Sequence, residues 1–359
     1  MASAARVSIV ARHPIVADDL ERLAAEPLPW ESLRGGTILV TGGAGLVASY
    51  LVEAVLRKNE EWRQQRARVI VTARNGDAAR ARFSAYSDRT DLEIVEHDAA
   101  LPLPELGPIR FLVHAAGQAS PTLFGRDPVG TYAPNVLGTH HLLERASRDR
   151  ASGMLFLSSG AVHGALGPEV VSVREDVYGV VDPLDPRSSY AESKRMGETI
   201  CRSWFVQRGV PVRMARLGHT YGPGMRRSDE RAFAQFVFDV LDGRDIVLNS
   251  DGSAQRPYCY LRDATSALLR LLLAGEDGEA YLVANPDASC SIRELAELIA
   301  GLDPDGRVTV RHASGPPPAS YVPNRDPFRP VDISKIRALG WEPTTGLREG
   351  FTRTLESYR

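Results

Sequence analysis

The chain has 359 residues, 43% of them hydrophobic, enough to bury one large core or two intimate ones. Its 43 Lys and Arg nearly balance 45 Asp and Glu, for a formal charge of −2. That balance excludes broad attraction to nucleic acid or to an anionic membrane, and leaves any charged ligand to a local site. Cys201, Cys259 and Cys290 lie far apart with no CxxC pair, which argues against zinc or a disulfide framework, suits a reducing compartment, and makes each a small buried hydrophobe. No metal is expected. No apolar run reaches the length of a membrane span, and "MASAARVSIVARHP" carries arginines without a signal-like apolar core. A soluble, cytoplasmic protein is expected.

Residues 1–35 read as a helical extension: "ADDLERLAAEPLPWESLRGG" has apolar positions at helical spacing before prolines and glycines break it. From Thr37 the runs "TILVTG", "ARVIVTA", "LEIVEHD", "IRFLVHAAG" and "GMLFLSSG" read as strands buried on both faces. Between them "LVASYLVEAVLRKN", "DAARARFSAY" and "NVLGTHHLLERASRD" read as helices. This alternation predicts an α/β fold, a doubly wound parallel sheet with ligands at the carboxyl ends of its strands. After "VPVRMARLGHTYGPGM" the rhythm changes, and "RAFAQFVFDVLDG", "AQRPYCYLRDATSALLRLLL" and "SIRELAELIAGL" point to a smaller mixed α/β lobe. The expected division is a dinucleotide-binding domain over 36–218, with 257–285 returning to it, and a substrate lobe over 219–256 and 286–359. "ASGPPPASYVPNRDP" reads as a surface loop, and no internal repeat is present.

The first chemical signal is "ILVTGGAGLVASYLV", a strand running through Gly42, Gly43 and Gly45 into a helix with Ala48 at the last motif position. Backbone N–H groups there can approach a pyrophosphate without Cβ interference, the mark of a Rossmann dinucleotide site. Gly42, Ala44, Gly45, Leu46 and Val47 are the cofactor candidates on this turn. The second strand ends "VIVTARN" with Arg74 and no acid, which favours NADP over NAD, unless Arg74 only stacks on adenine or points to solvent. Asp98 either bonds the adenine amino group or simply starts a loop.

In "SSYAESKRMGE" Tyr190 precedes Lys194 by four residues, so phenol and ammonium share a helix face. A nearby ammonium is expected to lower the phenol's pKa toward working pH, as a general acid/base requires. A solvated lysine beside a packed tyrosine would show the same spacing. The third group is a hydroxyl: Ser158 and Ser159 end the strand "GMLFLSSG".

These motifs resemble the extended short-chain dehydrogenase/reductases that act on nucleotide sugars, over nearly all of the chain from Thr37 onward. The resemblance rests on "TGGAGLVAS", "VHAAG", "NVLGT", "SSGAVHG", "YAESK", "TYGPGM" and "QRPYCYLRD". It implies Ser159, Tyr190 and Lys194 as the catalytic triad, with Lys194 also holding the nicotinamide ribose. Ala115, Ala116, Gly117 and Asn135 are implied around the cofactor, and Ser120, Gly160, His219, Arg231 and Arg256 around the substrate. A homodimer is implied as well. Within the group, "HAAGQASPTLFGRDPVGTYAPNVLGT" and "YGPGMRRSDERAFAQFV" look most like UDP-glucuronate decarboxylases and related enzymes.

Three departures bear on the reaction. The family's decarboxylases and 4,6-dehydratases place a glutamate two residues after the catalytic hydroxyl, where this chain reads Ser159-Gly160-Ala161. His219 stands for the family's Asn before "TYGP", either as a hydrogen-bonding substitute or as a titrating group. Arg74 replaces the acid usual in NAD-retaining members. Together they favour net reduction by free NADPH of a nucleotide-linked 4-keto sugar. The alternatives are a 4-epimerase or decarboxylase with resident NAD, and a non-catalytic NADP-binding sensor.

Overall fold

The computed structural model describes residues 13–62, 64–314 and 328–359. Of the predicted proline-rich loop only Ala313 and Ser314 are among them. The strands are β1 (Thr37–Thr41), β2 (Arg68–Ala73), β3 (Leu92–Glu96), β4 (Phe111–His114), β5 (Gly153–Ser159), β6 (Val212–Leu217), β7 (His219–Tyr221), β8 (Ile246–Leu248), β9 (Gln255–Tyr260), β10 (Ala280–Val283), β11 (Ser289–Ser291) and β12 (Val310–His312). A seven-stranded sheet runs β10-β6-β5-β4-β1-β2-β3, with every pairing parallel. The chain order reverses between β1 and β4, and the crevice above such a reversal is where doubly wound sheets bind ligands.

The strands read as continuous apolar runs because helices cover both faces. Alternate residues feed two cores: Ile38 and Val40 pack with Leu51 and Leu268, while Leu39 and Leu112 pack with Leu142, Leu143 and Cys201. The second lobe is built on a three-stranded sheet, β11-β9-β7, and a two-stranded one, β12-β8. Its core is aromatic: Tyr221, Phe233, Tyr258, Tyr260 and Phe351 cluster there, and Tyr221 stacks on Phe351 at 3.9 Å between ring centroids.

Two boundary segments are shared between the halves. Within 257–285, β9 pairs with β7 in the small sheet, whereas helix Leu261–Ala274 packs in the main core and β10 completes the large sheet. Beyond residue 286, Ile333, Ile336 and Trp341 also pack in the main core. The N-terminal segment forms helix Pro14–Ala24 and a short turn of helix at Trp30–Leu33. It is part of the core: Leu20, Leu23, Trp30 and Leu33 are buried in it.

Candidate active site

β1 ends at Thr41, and the chain turns at Gly42 with φ +63°. A Cβ at Gly42 would lie 2.6 Å from Ala116 Cα, so only glycine lets the loops after β1 and β4 meet backbone to backbone. Gly45 then caps helix Leu46–Asn59 with no side-chain acceptor, which leaves the first-turn N–H groups available to an anion. A cleft of about 300 Å3 opens here, lined by Gly42, Ala44, Gly45, Arg74, Asp98, Ala115, Ala116 and Gly117. Asp98 does two things, lining the cleft and accepting the Ala100 N–H at 2.9 Å. Arg74 stands at the end of β2, and the nearby Glu96 carboxylate accepts the Gly76 N–H at 3.0 Å. Val47 packs against the main core, and Leu46 faces an adjoining cleft.

Helix Ser189–Arg208 carries the tyrosine and lysine. Gly197 lets it approach β5, because a Cβ there would collide with the Phe156 ring. Lys194 is consequently buried and donates from Nζ to Leu157 O at 2.7 Å. The Tyr190 ring stacks on Phe124 at 4.4 Å, and the Ser159 hydroxyl hydrogen-bonds its phenol. Ser159 is thus the serine that reaches the tyrosine. Ser158 is buried and donates instead to Glu198 Oε1 at 2.5 Å.

The expected acidification of Tyr190 by Lys194 is corrected. Burial pushes the phenol above its ordinary value, and the downward pulls come from Ser159 and the Arg231 charge. Lys194 itself is held down to about 7 by burial, against the opposing charge of Glu198. An ammonium that is desolvated has a weakened charge state of its own to offer a neighbour. Its Nζ stands 5.8 Å from the Tyr190 ring centroid.

Asn135 links this cluster to the cleft. Its amide donates to Thr131 O at 3.1 Å and to Ser193 Oγ at 3.0 Å. Its Oδ1 is buried without a hydrogen bond. A Cβ placed on cleft-lining Gly117 would sit 2.9 Å from that oxygen and 3.7 Å from Lys194 Nζ.

A second cleft of about 220 Å3 shares Ala44 and Arg226 with the first and is lined by Ser120 and Arg231. Arg231 is engaged by Asp229, with Nε to Oδ1 at 2.9 Å, and lies over the Phe233 ring at 4.7 Å. His219 and Arg256 stand on paired strands β7 and β9. Burial and the charges of Arg256 and Arg231 hold His219 down to about 3, so it is a neutral imidazole at physiological pH rather than a titrating group. Gly160 opens the turn that follows Ser159.

The sequence matches the NAD dependent epimerase/dehydratase family over residues 38–284. The chain belongs to this family. It is 32% identical over 326 residues to UDP-glucuronic acid decarboxylase 6 of Arabidopsis thaliana, covering 90% of this chain and 88% of that one. Over 323 residues it is 32% identical to UDP-glucuronic acid decarboxylase 1 of Danio rerio, covering 89% of this chain and 72% of that one. Among solved structures, an epimerase from Methanothermobacter thermautotrophicus superposes with a TM-score of 0.76 at 20% identity, over 96% of each chain. A dTDP-glucose 4,6-dehydratase from Streptomyces venezuelae, with NAD bound, gives 0.73 at 25% identity over 90% of this chain and 96% of that one. The fold is therefore that of the extended short-chain dehydrogenase/reductases, and this epimerase/dehydratase family member is an enzyme.

Three features of this family member escaped the motif reading. Glu198 follows Lys194 by a further helical turn and forms a buried pair with Arg216, with Nε to Oε1 at 2.9 Å and a second bond to Oε2 at 2.7 Å. Its spacing on the Tyr190 and Lys194 face was the available signal. Arg82 donates to Ser49 Oγ at 2.7 Å and to Gly224 O at 3.3 Å, and lines the second cleft. Arg226 reaches the Ala44 carbonyl at 3.4 Å. Nothing local in the sequence marks either arginine. Among the described residues no helix is long and apolar enough to cross a membrane, and no group of His, Cys, Asp or Glu is placed to hold a metal ion.

Proposed function

We propose that the chain is a nucleotide-sugar oxidoreductase working at C4 of the sugar, as an NADP(H)-dependent reductase of a nucleotide-linked 4-keto-6-deoxy sugar. The observation that carries this reading is the convergence of Ser159, Tyr190 and Lys194 beside the cleft, with Ala161 where a proton-abstracting carboxylate would be needed for dehydration. The cleft fits a dinucleotide: Gly42 admits a close backbone approach, the helix at Gly45 is uncapped, and Asn135 Oδ1 awaits a donor. Gly42, Ala44 and Gly45 would hold its diphosphate, and Lys194 with Asn135 its nicotinamide end. A bound nicotinamide supplies the hydride. Tyr190 would give its phenolic proton to the oxygen forming at C4, Ser159 would orient that oxygen, and neutral His219 with Arg231 and Arg256 would position the nucleotide sugar. Arg74 at the end of β2 supports NADP over NAD. The product would be a 6-deoxyhexose nucleotide, of the fucose type by analogy alone.

A second reading, an epimerase or decarboxylase with resident NAD, draws on the identity to UDP-glucuronic acid decarboxylases. Release and analysis of bound nucleotide, followed by assay of NADPH and NADH against UDP-, dTDP- and GDP-linked 4-keto-6-deoxy sugars, separates the two. The reductase reading expects stoichiometric NADPH consumption. Retained NAD, with sugar nucleotide turned over without added reductant, would overturn it. The same reading takes the protein as a cytoplasmic homodimer. Tyr132, Leu137 and Met196 are 42%, 47% and 49% exposed on neighbouring helical segments.

A further inference from the structure

Helix Pro14–Ala24 lies outside the residues matched by the family, yet it carries a fully buried carboxylate, Asp19. Three donors from three separate elements converge on it. Tyr50 OH, from the helix that starts at the glycine turn, donates to Oδ2 at 2.8 Å. Tyr260 OH, at the end of β9, donates to the same oxygen at 2.7 Å. Arg353, from helix Leu347–Glu356, donates to Oδ1 at 2.6 Å and also holds Asp18 at 2.7 Å and Ile15 O at 3.2 Å. A carboxylate leaves water only where donors replace its hydration. Here they come from both halves of the molecule: Tyr50 belongs to the main core, and Tyr260 and Arg353's neighbour Phe351 to the aromatic core of the lobe.

We propose that Asp19 is a positioning residue, and that the N-terminal helix is a strut fixing the substrate lobe against the cofactor helix. The lever is short. Tyr260 lies four residues after Arg256 on β9, and β9 is in register with β7, His219 opposite Tyr258 and Tyr221 opposite Tyr260. Movement of Tyr260 would therefore move the strand pair that carries Arg256 and His219 relative to the helix at Gly45. Flanking contacts hold the strut itself in place: Arg57 bonds Glu21 at 2.5 Å, and Lys58 donates to Ala24 O at 3.0 Å.

The test compares Asp19→Ala and Tyr260→Phe with the unaltered full chain by hydrogen exchange and by steady-state kinetics. Asp19→Ala is expected to speed exchange of amides in 255–260 and 347–356 by about tenfold or more while those of 153–159 stay unchanged. Tyr260→Phe, which leaves the strut's own helix intact, is expected to speed exchange in 255–260, with any smaller effect confined to 347–356, where Arg353 Nε meets the Tyr260 hydroxyl at 3.4 Å, and so decides the matter if Asp19→Ala does not fold. Either variant should raise KM for the sugar nucleotide about fivefold or more with dinucleotide affinity within about twofold, a split that uniform destabilisation does not give. Exchange altered only in 14–24, exchange raised equally in every element, or an unmoved KM overturns the proposal. The kinetic half rests on the nucleotide-sugar reading; the exchange half needs no substrate. An unaltered chain that turns over no sugar nucleotide therefore counts against that reading and leaves the strut to the exchange result.

Discussion

Lys194 is buried, and the desolvation of its ammonium governs how it titrates. Its pKa is lowered from the ordinary 10.5 to about 7 by burial. Between those values the unfolded chain holds a proton that the folded chain does not, so on this account stability rises with pH across that window and is flat below it. Lys194→Met is expected to flatten the rise, an effect on the order of a few kcal/mol, read from urea midpoints between pH 7 and 10; an unchanged slope would count against it. Tyr190, pushed upward by burial, stays protonated through neutral pH, which suits a proton donor to a developing alkoxide. Tyr190→Phe should cut kcat by about 10²- to 10⁴-fold and leave dinucleotide affinity nearly unchanged; undiminished turnover would revive the non-catalytic reading. Arg74→Asp should shift the NADPH to NADH preference by about tenfold toward NADH if the guanidinium grips the extra phosphate. A constant ratio rejects that role.

Helix Ser189–Arg208 presents Tyr190, Lys194 and Glu198 one turn apart, and each meets a different part of the fold. Glu198 holds Ser158 on β5 and Arg216 on β6, and Arg216 in turn donates to Glu175 O at 2.7 Å and to Tyr178 OH at 2.8 Å. The pair thereby ties the ends of β5 and β6 together one residue before Ser159. Arg216 is 1% exposed, so Glu198→Met strands a buried cation and should cost about 3–5 kcal/mol. Exchanging both members, Glu198→Met with Arg216→Met, removes that uncompensated charge and should recover much of the loss in chemical unfolding. Additive losses would mean the two residues do not act as a pair. The strands, the glycine turn and the helix bearing "YAESK" were legible because each is written in a local period or spacing. Which of two adjacent serines faces the tyrosine came from the family resemblance, which points to Ser159, and not from any local period, since it depends on how β5 lies against a helix some thirty residues later in the chain.

At the scale of the whole molecule, two adjoining clefts lie between the glycine turn and the lobe, and Ala44 and Arg226 line both. Catalysis then needs the two cores held in one relation, which is the task assigned above to Asp19. The proposed dimer is tested by Leu137→Glu combined with Met196→Glu, which should halve the mass seen by light scattering if those helices form the contact. A mass unchanged by both charges would place any contact elsewhere.

The sequence by itself determined the alternating α/β order, the glycine turn at Gly42, the placing of Tyr190 and Lys194 on one helix and the family resemblance, because each is a matter of residue type at short range. Only the tertiary structure decided that burial raises the Tyr190 phenol, that His219 is neutral, that Glu198 and Arg216 brace the strand ends, and that the N-terminal helix is sealed into the core through Asp19. Those outcomes are set by desolvation and by partners distant in the chain, as with Asp19 and Tyr260, 241 residues apart. No local pattern of residues encodes either quantity.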